Sequence, residues 1–224
     1  CEQSPASGGS TVDVLHSSFD YVMNMLGLSE TCPYHDDVIG AVQRELPKRI
    51  KGQSEAVRLI TNAVAAWEMQ KASGKPRPLV LALTGSTGVG KSQTAKELAN
   101  VMLARKSRKH GEKQPSPDGF VYIRGEDLSI EAGVTVQEAQ AYIKRRLVDN
   151  FKKCGERGII VFDEVQKVIP GTLDVILPAL EENGHIVDFT SPSSTIDLNN
   201  PSKAAGDSGN NRAYSTSECI FLFI

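Results

Sequence analysis

The spacing of apolar positions divides the chain into helices and strands. From Thr11 to Leu26, the residues Val12, Leu15, Phe19, Val22, Met23 and Leu26 recur at helical intervals and Gly27 follows as a stop. This predicts an amphipathic helix after a small, polar start at residues 1–10. Asp36 to Leu46 reads as a short helix closed by Pro47. Ser54 to Lys71 reads as a longer helix with Ala56, Leu59, Ile60, Ala63, Val64 and Trp67 on one face, Trp67 serving as a core anchor. The run Ser73-Gly74-Lys75-Pro76-Arg77-Pro78 is a stiff connector into the first strand.

The strands have a different signature. Leu79-Val80-Leu81-Ala82-Leu83, Phe120-Val121-Tyr122-Ile123, Gly158-Ile159-Ile160-Val161-Phe162 and Cys219-Ile220-Phe221-Leu222-Phe223-Ile224 are continuous apolar runs rather than alternating ones. Continuous runs mark parallel strands covered on both faces. Between them, Thr135-x-x-Glu138 is a capping box opening a helix to about Cys154, with Ala139, Ile143, Leu147 and Phe151 every four residues. Gly171 to Glu182 predicts another helix, kinked by Pro178. His185 to Phe189 and Thr195 to Leu198 alternate and predict a hairpin, with His185 at the surface. Asn199 to Ser217 is Ser/Asn/Gly-rich and predicts a flexible insertion, and Lys106 to Gly119 predicts a solvated loop. Strands alternating with helices define an α/β domain with a parallel sheet.

One stretch gives that scaffold a chemistry. Gly85-Ser86-Thr87-Gly88-Val89-Gly90-Lys91-Ser92 follows the first strand and opens a helix from Gln93 to Arg105, matching G-x4-G-K-[ST]. A glycine-rich turn entering a helix directs successive backbone N–H groups, and the positive end of the helix dipole, toward one point. Residues Gly85 to Gln93 are therefore the candidate binding set for the phosphates of a nucleotide. Lys91 would reach the β- and γ-phosphates, and the Ser92 hydroxyl would ligate Mg2+. A second apolar strand ends in Asp163-Glu164. Ligands of open α/β sheets bind outside the carboxyl ends of the strands, which predicts that Asp163 lies near Ser92. Asp163 would hold Mg2+ through its water shell, and Glu164 would orient and deprotonate the attacking water. Lys91 and Glu164 are the candidate catalytic residues, ATP and Mg2+ the implied cofactors.

Composition narrows the picture. A net charge of −2 with 23% charged residues gives no global field for nucleic acid or an anionic membrane. No apolar run approaches the roughly 20 residues of a membrane span. Cys1, Cys32, Cys154 and Cys219 lack C-x2-C spacing, so neither a zinc site nor a disulfide framework is predicted, and the thiols read as buried or idle. The chain closes on its most apolar strand, from which we expect that the sequence is cut within its fold.

With Ile50-Lys51-Gly52-Gln53, the GSTGVGKS cradle, IIVFDE and the segment before CIFLFI in this order, the chain resembles AAA+ ATPases of the Clp/torsin branch over about residues 36–224. The resemblance implies a three-layer α/β/α P-loop NTPase core with sheet order 5-1-4-3-2 in the family's strand count, the fifth strand being absent. Residues 1–35 would form a disordered tail plus the amphipathic helix. Ile50 and Gly52 would line the adenine pocket, and the residue just past Ile224 would be the polar sensor. Within the branch the chain looks most like torsins. No aromatic residue lies between Tyr122 and Tyr142, where Clp-type threading motors carry an aromatic-glycine pore loop, and the run Phe162 to Pro178 resembles the torsin run after the acids. Ser92, where torsins commonly have Asn, and Leu180 to Asp188, which resembles the Clp hairpin, point to the Clp side.

The implied function is Mg-dependent ATP hydrolysis coupled to remodelling of a protein partner, in a homo- or hetero-oligomeric ring whose neighbour supplies an arginine. The implied compartment is the endoplasmic reticulum lumen if torsin-like, and otherwise the cytoplasm or an organelle matrix. Lacking sensor and lid, the chain as it stands is expected to bind nucleotide weakly and hydrolyse it negligibly. The competing readings are a Clp-type disaggregase and a nucleotide-gated interaction module in which hydrolysis is incidental.

Overall fold

The computed structural model describes residues 32, 34–74, 77–103, 119–188 and 212–224. The predicted helix Thr11 to Leu26, the loop from Lys106 to residue 118, and Thr195 to Leu198 lie outside them. Four parallel strands, β1 (Leu79–Ala82), β2 (Phe120–Arg124), β3 (Arg157–Asp163) and β6 (Glu218–Phe223), form one sheet in the order β1-β6-β3-β2. This is the implied order, with the Cys219-to-Phe223 strand between the first and third. Two short strands, β4 (His185–Val187) and β5 (Ala213–Ser215), pair antiparallel in a second sheet.

Side-chain parity explains why the central strands are continuously apolar. Ile159 and Val161 of β3, with Ile220 and Leu222 of β6, enter one core with helices α1 (Val38–Arg49), α2 (Ser54–Ala72) and α3 (Lys91–Met102). Ile160 and Phe162, with Cys219 and Phe221, enter the other core with α4 (Val136–Cys154). Both faces of the sheet are thus covered by helices, giving three layers. The α4 start is the predicted capping box: Thr135 accepts from the Glu138 N–H, and the Glu138 carboxylate accepts from the Thr135 N–H at 2.8 Å. Trp67 is buried, donates to the Arg77 carbonyl at 3.0 Å and meets Tyr34 edge-on.

Five expectations are corrected. First, Pro47 lies inside α1, which runs on to Arg49. The ring removes only the bond to the Gln43 carbonyl, and both residues face solvent, where water satisfies that oxygen. Second, Pro178 starts a helix instead of kinking one. A 3-10 turn, Thr172–Ile176, precedes α5 (Leu177–Leu180), and Pro178 sits in its first turn, where the missing N–H has no partner to lose. Third, β4 pairs with Ala213–Ser215. Fourth, the end of the predicted flexible insertion is ordered: Thr216 is buried and donates its hydroxyl to the Ala179 carbonyl at 2.6 Å.

The fifth correction concerns the cysteines. Cys32 and Cys154 form a disulfide, while Cys219 is a free, buried thiol. Cys32 is the first residue of the compact unit that runs to Ile224. Tyr34 reinforces the attachment, donating its hydroxyl to the Glu218 carbonyl at 2.7 Å and the Gly158 carbonyl at 3.2 Å. A crosslink spanning 122 residues removes much loop-closure entropy from the unfolded chain. Cys32→Ala is therefore expected to lower the unfolding free energy by about 2–4 kcal/mol in urea melts. Dithiothreitol should produce a similar loss in the unsubstituted protein and little further change in the variant; a reduction-insensitive midpoint contradicts the crosslink.

Candidate nucleotide site

The cradle is built where β1 hands over to α3. Leu83 donates its N–H to the Phe223 carbonyl at 2.8 Å, fixing the chain against β6 before it turns. Gly85, Gly88 and Gly90 then take φ values of 144°, 84° and 95°, the region that side chains with a Cβ rarely adopt. Gly90 caps α3, and its carbonyl accepts from both the backbone N–H and the hydroxyl of Thr94. The helix starts at Lys91, two residues before the predicted Gln93. The Lys91 ammonium donates to the Gly85 and Ser86 carbonyls, each at 2.9 Å, so its charge is held over the turn. Gln93, in the first turn, instead donates its side-chain amide to Glu97 at 2.8 Å.

Strand parity delivers the acid. Asp163 follows Ile159 and Val161 at a spacing of two, which turns its side chain to the α3 face of the sheet. There the Ser92 hydroxyl donates to Asp163 Oδ2 at 2.7 Å across a separation of 71 residues. A hydroxyl and a carboxylate oxygen at one helix start suit a hard cation that keeps most of its water and binds mainly through phosphate oxygens, as Mg2+ does. Among the described residues there is no cluster of three or more His, Cys, Asp or Glu side chains able to hold a metal unaided.

Glu164 leaves the strand. Its φ of 57° and ψ of 48° are left-handed, uncommon for a residue with a side chain, and such backbone strain gathers at functional sites. Its N–H donates to Asp163 Oδ1 at 3.1 Å. Its carboxylate pairs with Lys167 at 2.6 Å, and Lys167 pairs equally closely with Glu126. The two carboxylates, Glu126 foremost, raise the Lys167 pKa above the usual lysine range, while Lys167 holds Glu126 below the usual carboxylate range.

Ile50 and Gly52 lie on one cleft of about 450 Å3, shared with Pro47, Val57 and Thr61. Gln53 ties this segment to the cradle, donating its side-chain amide to the Val89 carbonyl at 3.4 Å. The structure thus joins Ser92 to Asp163 directly and places the Ile50–Gly52 segment beside the cradle.

Three residues of the site escape sequence reasoning. Tyr122 donates its hydroxyl to the same Asp163 Oδ2 that Ser92 contacts. Burial, then the bond to Asp163, pushes its pKa up to about 12, so the phenol keeps its proton near neutrality. Gly125, the residue after β2, lies so close to the acidic turn that an added Cβ would be 2.1 Å from the Glu164 carbonyl oxygen. Lys167, three residues after Glu164, is the one with a local signal, since acid–base spacing of three is a pairing distance on helical turns.

A parallel sheet, a glycine turn closing on Lys-Ser at a helix start, and an acid delivered beside that serine define a P-loop nucleotide-binding domain. The chain belongs to the AAA family: the AAA domain (dynein-related subfamily) matches residues 80–192. Among curated proteins it is similar to the chaperone protein ClpB of Streptomyces albus G, 30% identical over 167 residues that make up 66% of this chain and 17% of that protein. ClpB of Corynebacterium diphtheriae is 32% identical over 169 residues, and ClpB of Porphyromonas gingivalis 27% over 161, with the same shares covered. The chain thus spans about a sixth of the length of these relatives. Family and relatives together make it an AAA+ ATPase domain.

Proposed function

We propose that the protein binds and hydrolyses ATP and couples nucleotide state to remodelling of a protein partner. The observation that carries this is the 2.7 Å bond between Ser92 and Asp163, which brings the two halves of the motif together from distant parts of the sequence. Backbone amides of Gly88 to Ser92 and the Lys91 ammonium neutralise phosphate charge. Ser92 and Asp163 place the cation, which when bound supplies Lewis-acid stabilisation of the leaving phosphates. Glu164 orients and deprotonates water, while Ile50 and Gly52 receive the adenine. Residues 85–93, with Asp163, are the binding set. Calorimetry with Mg-ATP tests the reading: binding heat is expected with the full-length protein, and its absence overturns the proposal.

For the mode of work we infer a torsin-like, non-threading remodeller, acting in an oligomer whose neighbour or cofactor completes the site. The connection from β2 to α4 exposes an aliphatic residue, Ile130, rather than an aromatic one. The Cys32–Cys154 disulfide favours an oxidising compartment, for which the endoplasmic reticulum lumen is the torsin-like candidate. The similarity to ClpB chaperones supports the second reading, a Clp-type unfoldase that threads its substrate. ATP-dependent unfolding of a tagged, folded substrate by the full-length protein is expected only on the second reading.

A further inference from the structure

We propose that Tyr122 is a positioning residue of the metal site, fixing the carboxylate of Asp163 through its phenol. The inference rests on the reading above, in which Ser92 and Asp163 place Mg2+. Register and parity put the phenol there. Arg124 is the β2 residue opposite Asp163 and Tyr122 the one opposite Val161, so Tyr122 lies one side-chain step back on the same sheet face as Asp163. The ring is itself held, tilted against Phe120 at 6.0 Å between centroids and with the Lys96 ammonium 5.2 Å from its centroid.

Asp163 is buried, so its carboxylate depends on protein donors. Oδ2 accepts the Ser92 and Tyr122 hydroxyls, and Oδ1 accepts the Glu164 N–H. An ionised carboxylate has about four acceptor positions. Three are committed here, which fixes the carboxylate torsion and leaves one position, on Oδ1, for a cation-bound water. Without the phenol, Oδ2 would keep only the Ser92 hydroxyl, a group the reading above also commits to the cation; the phenol is the anchor on that oxygen that is not itself a metal ligand. Donors that orient a metal's carboxylate in this way typically alter metal affinity by about 10–100-fold when removed.

The test is the Mg2+ requirement of nucleotide binding. A fluorescent ATP analogue is titrated onto the protein in EDTA and at increasing free Mg2+, for the unsubstituted protein, Tyr122→Phe and Ser92→Ala. The expected result for Tyr122→Phe is unchanged affinity in EDTA with about a tenfold rise in the Mg2+ concentration for half-maximal enhancement. An unchanged or lower Mg2+ requirement overturns the proposal. Equal losses with and without Mg2+ overturn it too, because they indicate a general structural role. Ser92→Ala separates the two levels. A raised requirement in Ser92→Ala but not in Tyr122→Phe removes only the role of Tyr122, whereas no change in either removes the metal-placing reading with it.

Discussion

In the full-length protein, Glu164→Gln is expected to leave Mg-ATP bound while phosphate release falls by about 10²–10⁴-fold, the range a positioned general base contributes. The amide keeps the shape of the carboxylate but cannot take a proton from water. The left-handed turn at Glu164 is set by its backbone, by the Asp163 contact to its N–H and by the close approach of Gly125, none of which the substitution alters. The side chain loses its charged pairing with Lys167, but both groups are substantially exposed, and such pairs contribute roughly 0–1 kcal/mol. Binding and folding should therefore survive. Calorimetry for affinity and a coupled phosphate assay for turnover check the two halves of the expectation. Unchanged phosphate release would move catalysis away from Glu164 and favour the nucleotide-gated module.

The second large effect is expected at Lys91. Replacing it by Ala should weaken Mg-ATP binding by roughly 10–100-fold, because charge-assisted hydrogen bonds are each worth about 1.5–3 kcal/mol and about 1.4 kcal/mol is tenfold in affinity. The fold should not suffer. The carbonyls of Gly85 and Ser86 that accept from the ammonium belong to an exposed turn, where water replaces the lost donor. Thermal melts of apoprotein and variant should then coincide within a few degrees, while their nucleotide affinities separate. Equal affinities would mean that the cradle amides alone hold the phosphates. Lys91→Arg is a useful companion, since it keeps the charge but replaces a compact ammonium by a broad planar group.

Much of the site was legible because its chemistry is local. Gly85 to Ser92 occupy consecutive positions at a strand-to-helix turn, and glycine at 85, 88 and 90 records backbone angles that the turn requires. Asp163 was legible as an acid at the carboxyl end of an apolar strand, where open α/β sheets bind their ligands, and strand parity turns it to the α3 face. Tyr122 was not. Its nearness to Asp163 depends on which strand neighbours which and in what register, and nothing in FVYIR distinguishes a tyrosine facing a carboxylate from one packed in a core. Gly125 likewise carries no positive φ; its constraint is the backbone of the turn that follows β3. The same limit explains Cys32 and Cys154. Thiols 122 residues apart without a spacing motif read as unrelated until the segment before α1 is laid beside the end of α4.

The prolines mark the boundary between the two kinds of information. Pro47 was expected to end its helix and Pro178 to kink one, and neither does: whether Pro178 kinks or begins a helix depends on whether the preceding turn is 3-10 or α, which packing decides. The pairing of β4 was a parallel case: alternation announced a strand, while its partner at Ala213–Ser215 was set by Thr216 anchoring to the Ala179 carbonyl. By itself the sequence determined the buried parallel strands, the strand-to-helix cradle and the acid-tipped strand, since these follow from periodicity and from residues adjacent in the chain. Only the tertiary structure decided the disulfide, the Tyr122 contact and the Glu126–Lys167–Glu164 arrangement, because each depends on distances between segments that one-dimensional spacing does not encode.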